Sequence, residues 1–246
     1  NEKAVAFADA SLEIDSFNMG CRYERYLASG ENSDLEKLKE LMRDWSHGYI
    51  EYALDFVAGG LYEEAAGLLG LYLQDVEKVY PIIYYLLGYI CMKQSNPSLA
   101  QEYFVKAEKC DSAYCFPNRI EEVLILQEAV RQNPSDAKSF YYLGNFWYAS
   151  RRYENAVSCW EQSATIDPEF PTVWRNLSLA YYNKCNNREK AVAALEKAFA
   201  LDNTDARILM ELDQLYKKLG RSYAERLTFL EKHVALVESR DDLALE

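Results

Sequence analysis

Few side chains in this sequence are spaced for catalysis. The only two histidines, His47 and His233, lie far apart along the chain. A serine or cysteine nucleophile needs an adjacent base, and these histidines complete no Ser-His-Asp or Cys-His set. The glycines of "GGLYEEA" at residues 59–65 are typical of a turn between helices and lack the pattern of a phosphate-binding loop. The sequence therefore predicts no enzyme activity, no catalytic residue and no cofactor.

The cysteines and the net charge limit the metal sites, the compartment and the partners that the sequence predicts. The six cysteines include no C-x-x-C pair, so no zinc-site spacing forms and no metal site is predicted. A helical core of this size needs no disulfides, which favours small buried cysteines in a reducing compartment and a cytoplasmic location. The net charge of −12 argues against nucleic acid and against an anionic membrane surface as partners. The most apolar run, "YPIIYYLLGYICM", is too short to span a membrane.

The positions of large and small side chains repeat along the chain. The repeats have large residues at their fourth, seventh and eleventh positions, except for Cys91 at the eleventh position of one of them. The eighth residue is usually small, and an alanine commonly follows about twelve positions later. The last three repeats start at residues 137, 171 and 206, a spacing of 34 to 35 residues. The five repeats begin at Ser46, Pro81, Ala137, Pro171 and Ala206. Residues 1–45 fit the pattern less clearly, as the second half of a repeat followed by a further helix pair.

The best copy, "FYYLGNFWY…A…W…DP" from Phe140 to Pro168, resembles the tetratricopeptide repeat. The resemblance implies an all-α fold, a right-handed superhelical solenoid of antiparallel helix pairs. More narrowly, "CFPNRIEEVLILQEAVRQNPSDAKSFYYLGNFWY", "VWRNLSLAYYNK" and "DARILMELDQLYKKLG" resemble the helical C-terminal region of large bacterial tetratricopeptide proteins. Those proteins carry a DUF5107-type β-rich domain upstream, and the narrower resemblance implies such a domain in a longer parent protein.

The small residues of each repeat predict how its two helices pack. Large side chains at positions four, seven and eleven form one apolar stripe of the first helix. Gly144 then allows the second helix to approach closely at Ala156, and Trp160 is expected to fill the gap toward the next repeat. Pro168 and Pro134 are expected to follow the ends of second helices, because proline lacks the N–H that continues a helix.

One segment breaks the repeat. The stretch from Cys110 to Pro134 has a good second-helix pattern but no room for a first helix, and Glu122 stands where alanine is expected. We therefore expect a single unpaired helix near Asn118–Gln132 that changes the curvature or separates two lobes. The predicted organisation is partial or divergent repeat helices in 1–45, two repeats in 46–111, a linker with the unpaired helix in 112–136, three repeats in 137–240, and a tail in 241–246.

The first helices of stacked pairs line a concave surface, to which positions two, five, nine and twelve contribute. These positions are Ile82, Tyr85, Tyr89 and Met92; Lys138, Tyr141, Asn145 and Tyr148; and Thr172, Arg175, Leu179 and Tyr182. Tyrosine and arginine combine contact area with polar groups and dominate protein interfaces. The predicted partner-binding residues are Tyr85, Tyr89, Lys138, Tyr141, Asn145, Tyr148, Arg175 and Tyr182. Alternatively, the tyrosines only pack against neighbouring helices.

Some tetratricopeptide domains clamp a C-terminal carboxylate with lysine, arginine and asparagine at set positions. Asn145, Asn176 and Arg207 match three of those positions. Tyr141 and Glu211 replace a lysine and an arginine, and the acidic Glu211 would repel a carboxylate. The sequence therefore argues against this clamp.

The leading functional hypothesis is a non-catalytic interaction scaffold. The concave groove would bind a polypeptide segment of a partner, or dock the parent's own β-rich domain. One alternative is a groove that binds a small ligand such as an oligosaccharide for a carbohydrate-related parent enzyme, and another is a homo-oligomeric scaffold. Because the chain opens in the middle of a repeat, we expect it to be a fragment of a longer protein.

Overall fold

The computed structural model describes residues 2–239, and every regular element in that range is an α-helix. The predicted all-α fold of antiparallel helix pairs is confirmed. The helices are α1 (Glu2–Ile14), α2 (Met19–Ser29), α3 (Asn32–Met42), α4 (Ser46–Ala58), α5 (Tyr62–Asp75), α6 (Pro81–Lys93), α7 (Pro97–Lys109), α8 (Ile120–Gln132), α9 (Ala137–Ala149), α10 (Tyr153–Ile166), α11 (Pro171–Asn183), α12 (Arg188–Leu201), α13 (Ala206–Lys218), α14 (Tyr223–Glu231) and α15 (Val234–Glu238). The predicted tail at 241–246 lies outside the described residues.

The helix starts coincide with the repeat starts, and local chemistry explains why. Pro81 and Pro171 are the first residues of α6 and α11, where proline needs no N–H and its fixed φ suits the helix. Asp136 caps α9, and its carboxylate accepts hydrogen bonds from the backbone N–H groups of Lys138 and Ser139. Asp205 caps α13 in the same way. Each of these starts therefore carries its own signal in the sequence.

The chain forms two compact units. Unit 1 runs to Cys115 and resumes at Arg119–Asn133, so it contains α1 to α8. Unit 2 contains Phe116–Asn118 and the described chain from Pro134, with α9 to α15. In unit 1, α8 lies where a lone helix is predicted, and it packs against α6.

The close crossing predicted for the helix pairs is present. A Cβ atom on Gly144 would lie 2.3 Å from the ring of Trp160, and one on Gly88 would lie 2.4 Å from the ring of Phe104. Both distances are far below van der Waals contact, so only glycine fits. Trp160 differs from the prediction, because it lies over Gly144 of its own repeat as well as beside α11 of the next.

The crossing of α13 and α14 contains charged residues in place of small ones. Asp213 is the eighth residue of its repeat, and Arg226 of α14 faces it. Both residues are buried, and Arg226 Nε donates to Asp213 Oδ1 at 2.9 Å while Nη2 donates to Oδ2. A bidentate ion pair therefore takes the place that small side chains occupy in the preceding pairs.

Neighbouring repeats of unit 2 share a polar seam. The hydroxyl of Tyr181 in α11 donates to Glu161 of α10, and the hydroxyl of Tyr216 in α13 donates to Glu196 of α12, each at 2.7 Å. Both tyrosines are the eleventh residue of their repeat. Burial, followed by the hydrogen bond to the glutamate, raises the pKa of both phenols. The same contact thus joins two successive pairs of repeats.

Two local expectations need correction or explanation. All six cysteines are free thiols, but Cys185 is exposed and only Cys91 and Cys115 are buried, so the expectation of uniformly buried cysteines is wrong. Glu122, which replaces an expected alanine, is buried because it closes a capping box, in which its carboxylate accepts from the backbone N–H of Arg119 at 2.9 Å.

Candidate functional site

The structure distributes the eight predicted partner-binding residues over both units. Tyr85 and Tyr89 belong to unit 1, and the other six belong to unit 2. Six of the eight are half-buried and retain exposed surface, namely Tyr89, Lys138, Asn145, Tyr148, Arg175 and Tyr182. Whether they bind a partner stays a prediction.

For Tyr85 and Tyr141 the expectation of an exposed side chain is wrong. Tyr85 is 0% exposed and Tyr141 is 4% exposed. The ring of Tyr141 packs on Phe170 and Tyr142, with centroids 4.9 and 5.4 Å away. The ring of Tyr85 lies near that of Phe104. Packing against neighbouring aromatic rings thus covers the surface that these two tyrosines are predicted to offer a partner.

Unit 2 contains a pocket of about 200 Å³ between α9, α10 and α11, which we call the Asn145 pocket. Its lining is Phe116, Asn145, Tyr148, Ala149, Trp160, Asn176 and Leu179. The rings of Tyr148 and Trp160 lie 5.3 Å apart on one side. None of the lining side chains carries a charge. The pocket therefore offers aromatic and aliphatic walls with two carboxamides as its polar groups.

The carboxamide oxygen of Asn145 accepts two hydrogen bonds. The donors to this Oδ1 are Trp160 Nε1 at 3.2 Å and Asn176 Nδ2 at 3.3 Å. The same indole N–H also donates to the backbone carbonyl of Tyr141 at 3.2 Å. Asn145 Nδ2 is buried and has no hydrogen-bond acceptor among the described residues. Asn145, a lining residue of the pocket, thus has a buried donor without a described acceptor.

A second pocket of about 240 Å³ lies between α11, α12 and α13, and we call it the Lys218 pocket. Its lining is Ser178, Leu179, Tyr182, Asn183, Leu195, Met210, Glu211, Gln214, Leu215 and Lys218. Leu179 is common to both pockets. The ammonium group of Lys218 lies 5.4 Å from the centre of the Tyr182 ring.

Glu211 of the Lys218 pocket is neutralised by a neighbour. Arg175 Nε donates to Glu211 Oε2 at 2.6 Å, and Arg175 Nη2 donates to Oε1. Both side chains are less than one-fifth exposed. Arg175, predicted to meet a partner, is therefore engaged within the chain, and Glu211 does not act as an isolated negative charge.

Several lining residues were not predicted to bind a partner. Phe116 lies in the linker, outside the repeats, so it is not among the repeat positions that predict the concave surface. Trp160 was assigned to the seam because its position on the second helix points to packing. Lys218 lies beyond the twelfth position of its repeat, one place past the predicted stripe. Its signal in the sequence is the Lys-Lys pair that ends α13.

The described residues contain neither a metal-binding cluster nor a membrane-spanning helix. No group of three or more histidine, cysteine, aspartate or glutamate side chains between residues 2 and 239 is arranged to hold a metal ion. Over the same residues, no helix combines the length and the apolar character that crossing a membrane requires.

Comparison with known proteins follows the repeat pattern. Residues 82–114 and 172–205 match the family "Tetratricopeptide repeat". A Xenopus laevis protein named "Tetratricopeptide repeat protein 37" is 26% identical over 134 residues, which are 52% of this chain but only 8% of that protein. This chain therefore spans a small fraction of that relative's length.

Solved structures with some similarity include two repeat proteins. One is MamA, residues 41 to the end, from Desulfovibrio magneticus RS-1, with 18% identity, a TM-score of 0.45, and coverage of 81% of this chain and 99% of that one. Another is the APC/C hetero-tetramer Cut9-Hcn1, with 16% identity, a TM-score of 0.44, and coverage of 99% of this chain and 45% of that one. The two matched stretches include α6 and α7 of unit 1 and α11 and α12 of unit 2, with the paired helices and the spacing described above. Two stretches of the chain, residues 82–114 and 172–205, therefore match the tetratricopeptide repeat in both sequence and helix pairing.

Proposed function

We propose that this chain is a non-catalytic protein-interaction scaffold and that unit 2 binds an extended polypeptide segment in the Asn145 pocket. Tetratricopeptide repeats stack helix pairs and leave the first helices available to a partner. In unit 2 the first helices α9 and α11 contribute most of the pocket lining.

The observation that carries the proposal is the unsatisfied Nδ2 donor of Asn145. A buried donor without an acceptor costs about 1–3 kcal/mol, and a ligand that supplies the acceptor recovers that energy. A peptide backbone supplies such acceptors at every residue. Trp160 and Asn176 already donate to the amide oxygen, so Nδ2 is the group of this amide that lacks a partner.

The walls of the Asn145 pocket define what accompanies the carbonyl. Tyr148, Trp160 and Leu179 offer apolar surface, and no lining group carries a charge. A charged side chain placed there would lose its hydration without gaining a partner. The bound segment is therefore expected to present an uncharged, apolar side chain beside the carbonyl that meets Asn145.

The other functions considered for this chain fit the described residues less well. A sugar site would pair aromatic rings with carboxylates, whereas the Asn145 pocket has no carboxylate and Glu211 of the second pocket is held by Arg175. Four sequence-based hypotheses stay predictions. They are an oligosaccharide ligand, homo-oligomer formation, a DUF5107-type β-rich domain in the parent protein, and the status of this chain as a fragment. The proposal covers a segment of a separate protein and a segment of the same polypeptide beyond these residues.

The experiment replaces Asn145 by aspartate. The protein is first used to select peptides from a displayed random library, and the consensus peptide is then titrated by calorimetry. Asn145→Asp keeps the oxygen that accepts from Trp160 and Asn176 but converts the unsatisfied donor into an acceptor. The substitution should weaken peptide binding by at least about tenfold, which corresponds to about 1.4 kcal/mol.

Asn203→Asp is the matched control, because it introduces the same charge on an exposed loop of unit 2. The control should bind the consensus peptide with unchanged affinity. An affinity that is equal in wild type and Asn145→Asp would refute the assignment of the donor. Failure of the wild-type protein to select any peptide would refute the proposed function.

A further inference from the structure

The Lys218 pocket has the character of a second binding site next to the first. Leu179 lines both pockets, so the two pockets adjoin at this side chain. The apolar lining of the Lys218 pocket includes Leu195, Met210 and Leu215, and the ring of Tyr182 forms a further wall. An apolar side chain can be buried there by the same physics as in the Asn145 pocket.

The charges around this pocket do not cancel. Glu211 is compensated by Arg175 through two hydrogen bonds. Lys218 is exposed and forms no ion pair with any described residue; its described contact is with the ring of Tyr182. The pocket therefore carries one uncompensated positive charge at its edge, in a chain whose net charge is −12.

Residues of the two pockets are offset along α11. Asn176 of the first pocket and Tyr182 of the second are six positions apart on α11, which corresponds to about 9 Å along the helix. An extended peptide advances about 3.3 Å per residue, so about three residues cover that distance. One bound segment can therefore reach both pockets.

We propose that the Lys218 pocket is a second subsite for the same polypeptide segment, and that it binds an apolar side chain flanked by an aspartate or glutamate whose carboxylate pairs with Lys218. This inference rests on the proposed function. It specifies the ligand as a segment with two apolar anchors about three residues apart, the second of them adjacent to an acidic residue. Lys218 would pair with a side-chain carboxylate in the middle of the segment, so the segment needs no free carboxyl terminus at this site.

The test is a charge reversal at Lys218 with a matched control. Random-peptide libraries are selected in parallel on the wild-type protein, on Lys218→Glu and on Lys93→Glu. Lys93 also lies over a tyrosine ring, 5.0 Å from the centre of Tyr89, but it belongs to unit 1 and lines neither pocket. Both substitutions change the net charge equally, so nonspecific effects of charge are matched.

The wild-type protein and Lys93→Glu should select peptides enriched in aspartate or glutamate next to the second apolar anchor. Lys218→Glu should lose that enrichment and favour lysine or arginine at the same place. By calorimetry, Lys218→Glu should bind the acidic consensus peptide about tenfold more weakly, since it removes an attraction and adds a repulsion. Replacing the acid of the peptide by lysine should restore affinity for Lys218→Glu, a rescue that misfolding cannot produce.

The outcomes separate the two proposals. Selected peptides that depend on Asn145 but show no acidic preference, or that bind Lys218→Glu as well as wild type, would overturn the second subsite and leave the proposed function standing. Absence of any selected peptide would overturn both.

Discussion

The buried ion pair between Asp213 and Arg226 offers a sharp test of how the repeats pack. In the preceding repeat pairs a small residue lies at the crossing, as Gly144 and Ala156 do between α9 and α10. In the last pair the crossing is held by a charged pair. Replacing Asp213 by alanine leaves the guanidinium of Arg226 buried without this carboxylate.

The expected magnitude follows from burial and geometry. The side chains of Arg226 and Asp213 are 5% and 1% exposed, and two hydrogen bonds join them. Removing one partner of such a pair costs about 3–5 kcal/mol, because the remaining charge keeps its desolvation penalty. Replacing both partners by apolar residues of similar volume is often neutral or stabilising by about 1–4 kcal/mol. Asp213→Leu combined with Arg226→Met should therefore be far more stable than Asp213→Ala alone.

Urea unfolding followed by circular dichroism and tryptophan fluorescence measures both effects. A double-mutant cycle of Asp213→Ala, Arg226→Ala and the combined variant isolates the coupling between the two residues. Lys197→Ala is the control, because Lys197 pairs with Glu169 at 3.2 Å on the exposed surface of unit 2. That substitution should change the free energy of unfolding by less than about 1 kcal/mol.

A loss of stability in Asp213→Ala no larger than that in Lys197→Ala would contradict this prediction. So would an apolar double variant less stable than both single variants, since the pair would then be required for more than filling the crossing. Either result would mean that α13 and α14 are held together by other contacts.

Three further predictions concern packing, pH and thiol reactivity. Gly144→Ala should destabilise the protein by about 1–3 kcal/mol in urea unfolding, because its Cβ would overlap the facing indole, whereas Gly70→Ala, with no atom within 4 Å of the new Cβ, should be neutral or stabilising. The free energy of unfolding should fall as pH rises above 10.0, the ordinary phenol pKa, because the folded chain retains a proton on Tyr181 that the unfolded chain releases; pH-dependent urea titrations should show a smaller fall for Tyr181→Phe. Mass spectrometry after brief treatment with a thiol reagent at neutral pH should show modification at the exposed Cys185 before Cys159, since burial raises the pKa of the Cys159 thiol to about 11.

The sequence contained enough information to locate the helix pairs of the repeats. Capping residues and prolines act on the backbone of their own helix, so Asp136 and Pro171 mark helix starts wherever the helices later pack. Gly144 likewise predicts a close helix crossing, because a glycine within an apolar stripe leaves room for a neighbouring helix. These signals are local, so they can be recognised from the sequence alone.

The binding surface was predictable only in part. Asn145 and Tyr141 occupy neighbouring positions of the predicted concave stripe, yet one lines a pocket while the other is 4% exposed. The ring of Tyr141 packs against Phe170, a loop residue, and against Tyr142 of its own helix. No repeat position encodes the contact with Phe170, and the same applies to Phe116 of the linker, which forms a wall of the Asn145 pocket.

The sequence by itself determined the all-helical class, the period and the small residues at the crossings, because each depends on neighbours within one or two turns of helix. Tertiary structure alone decided which polar groups are satisfied. Arg175 is neutralised by a glutamate 36 residues later, and Arg226 by an aspartate of another helix. Asn145 has its oxygen bound twice and its nitrogen left without an acceptor. Hydrogen bonding and charge compensation depend on distances of a few ångströms between residues far apart in the chain, and only packing sets those distances.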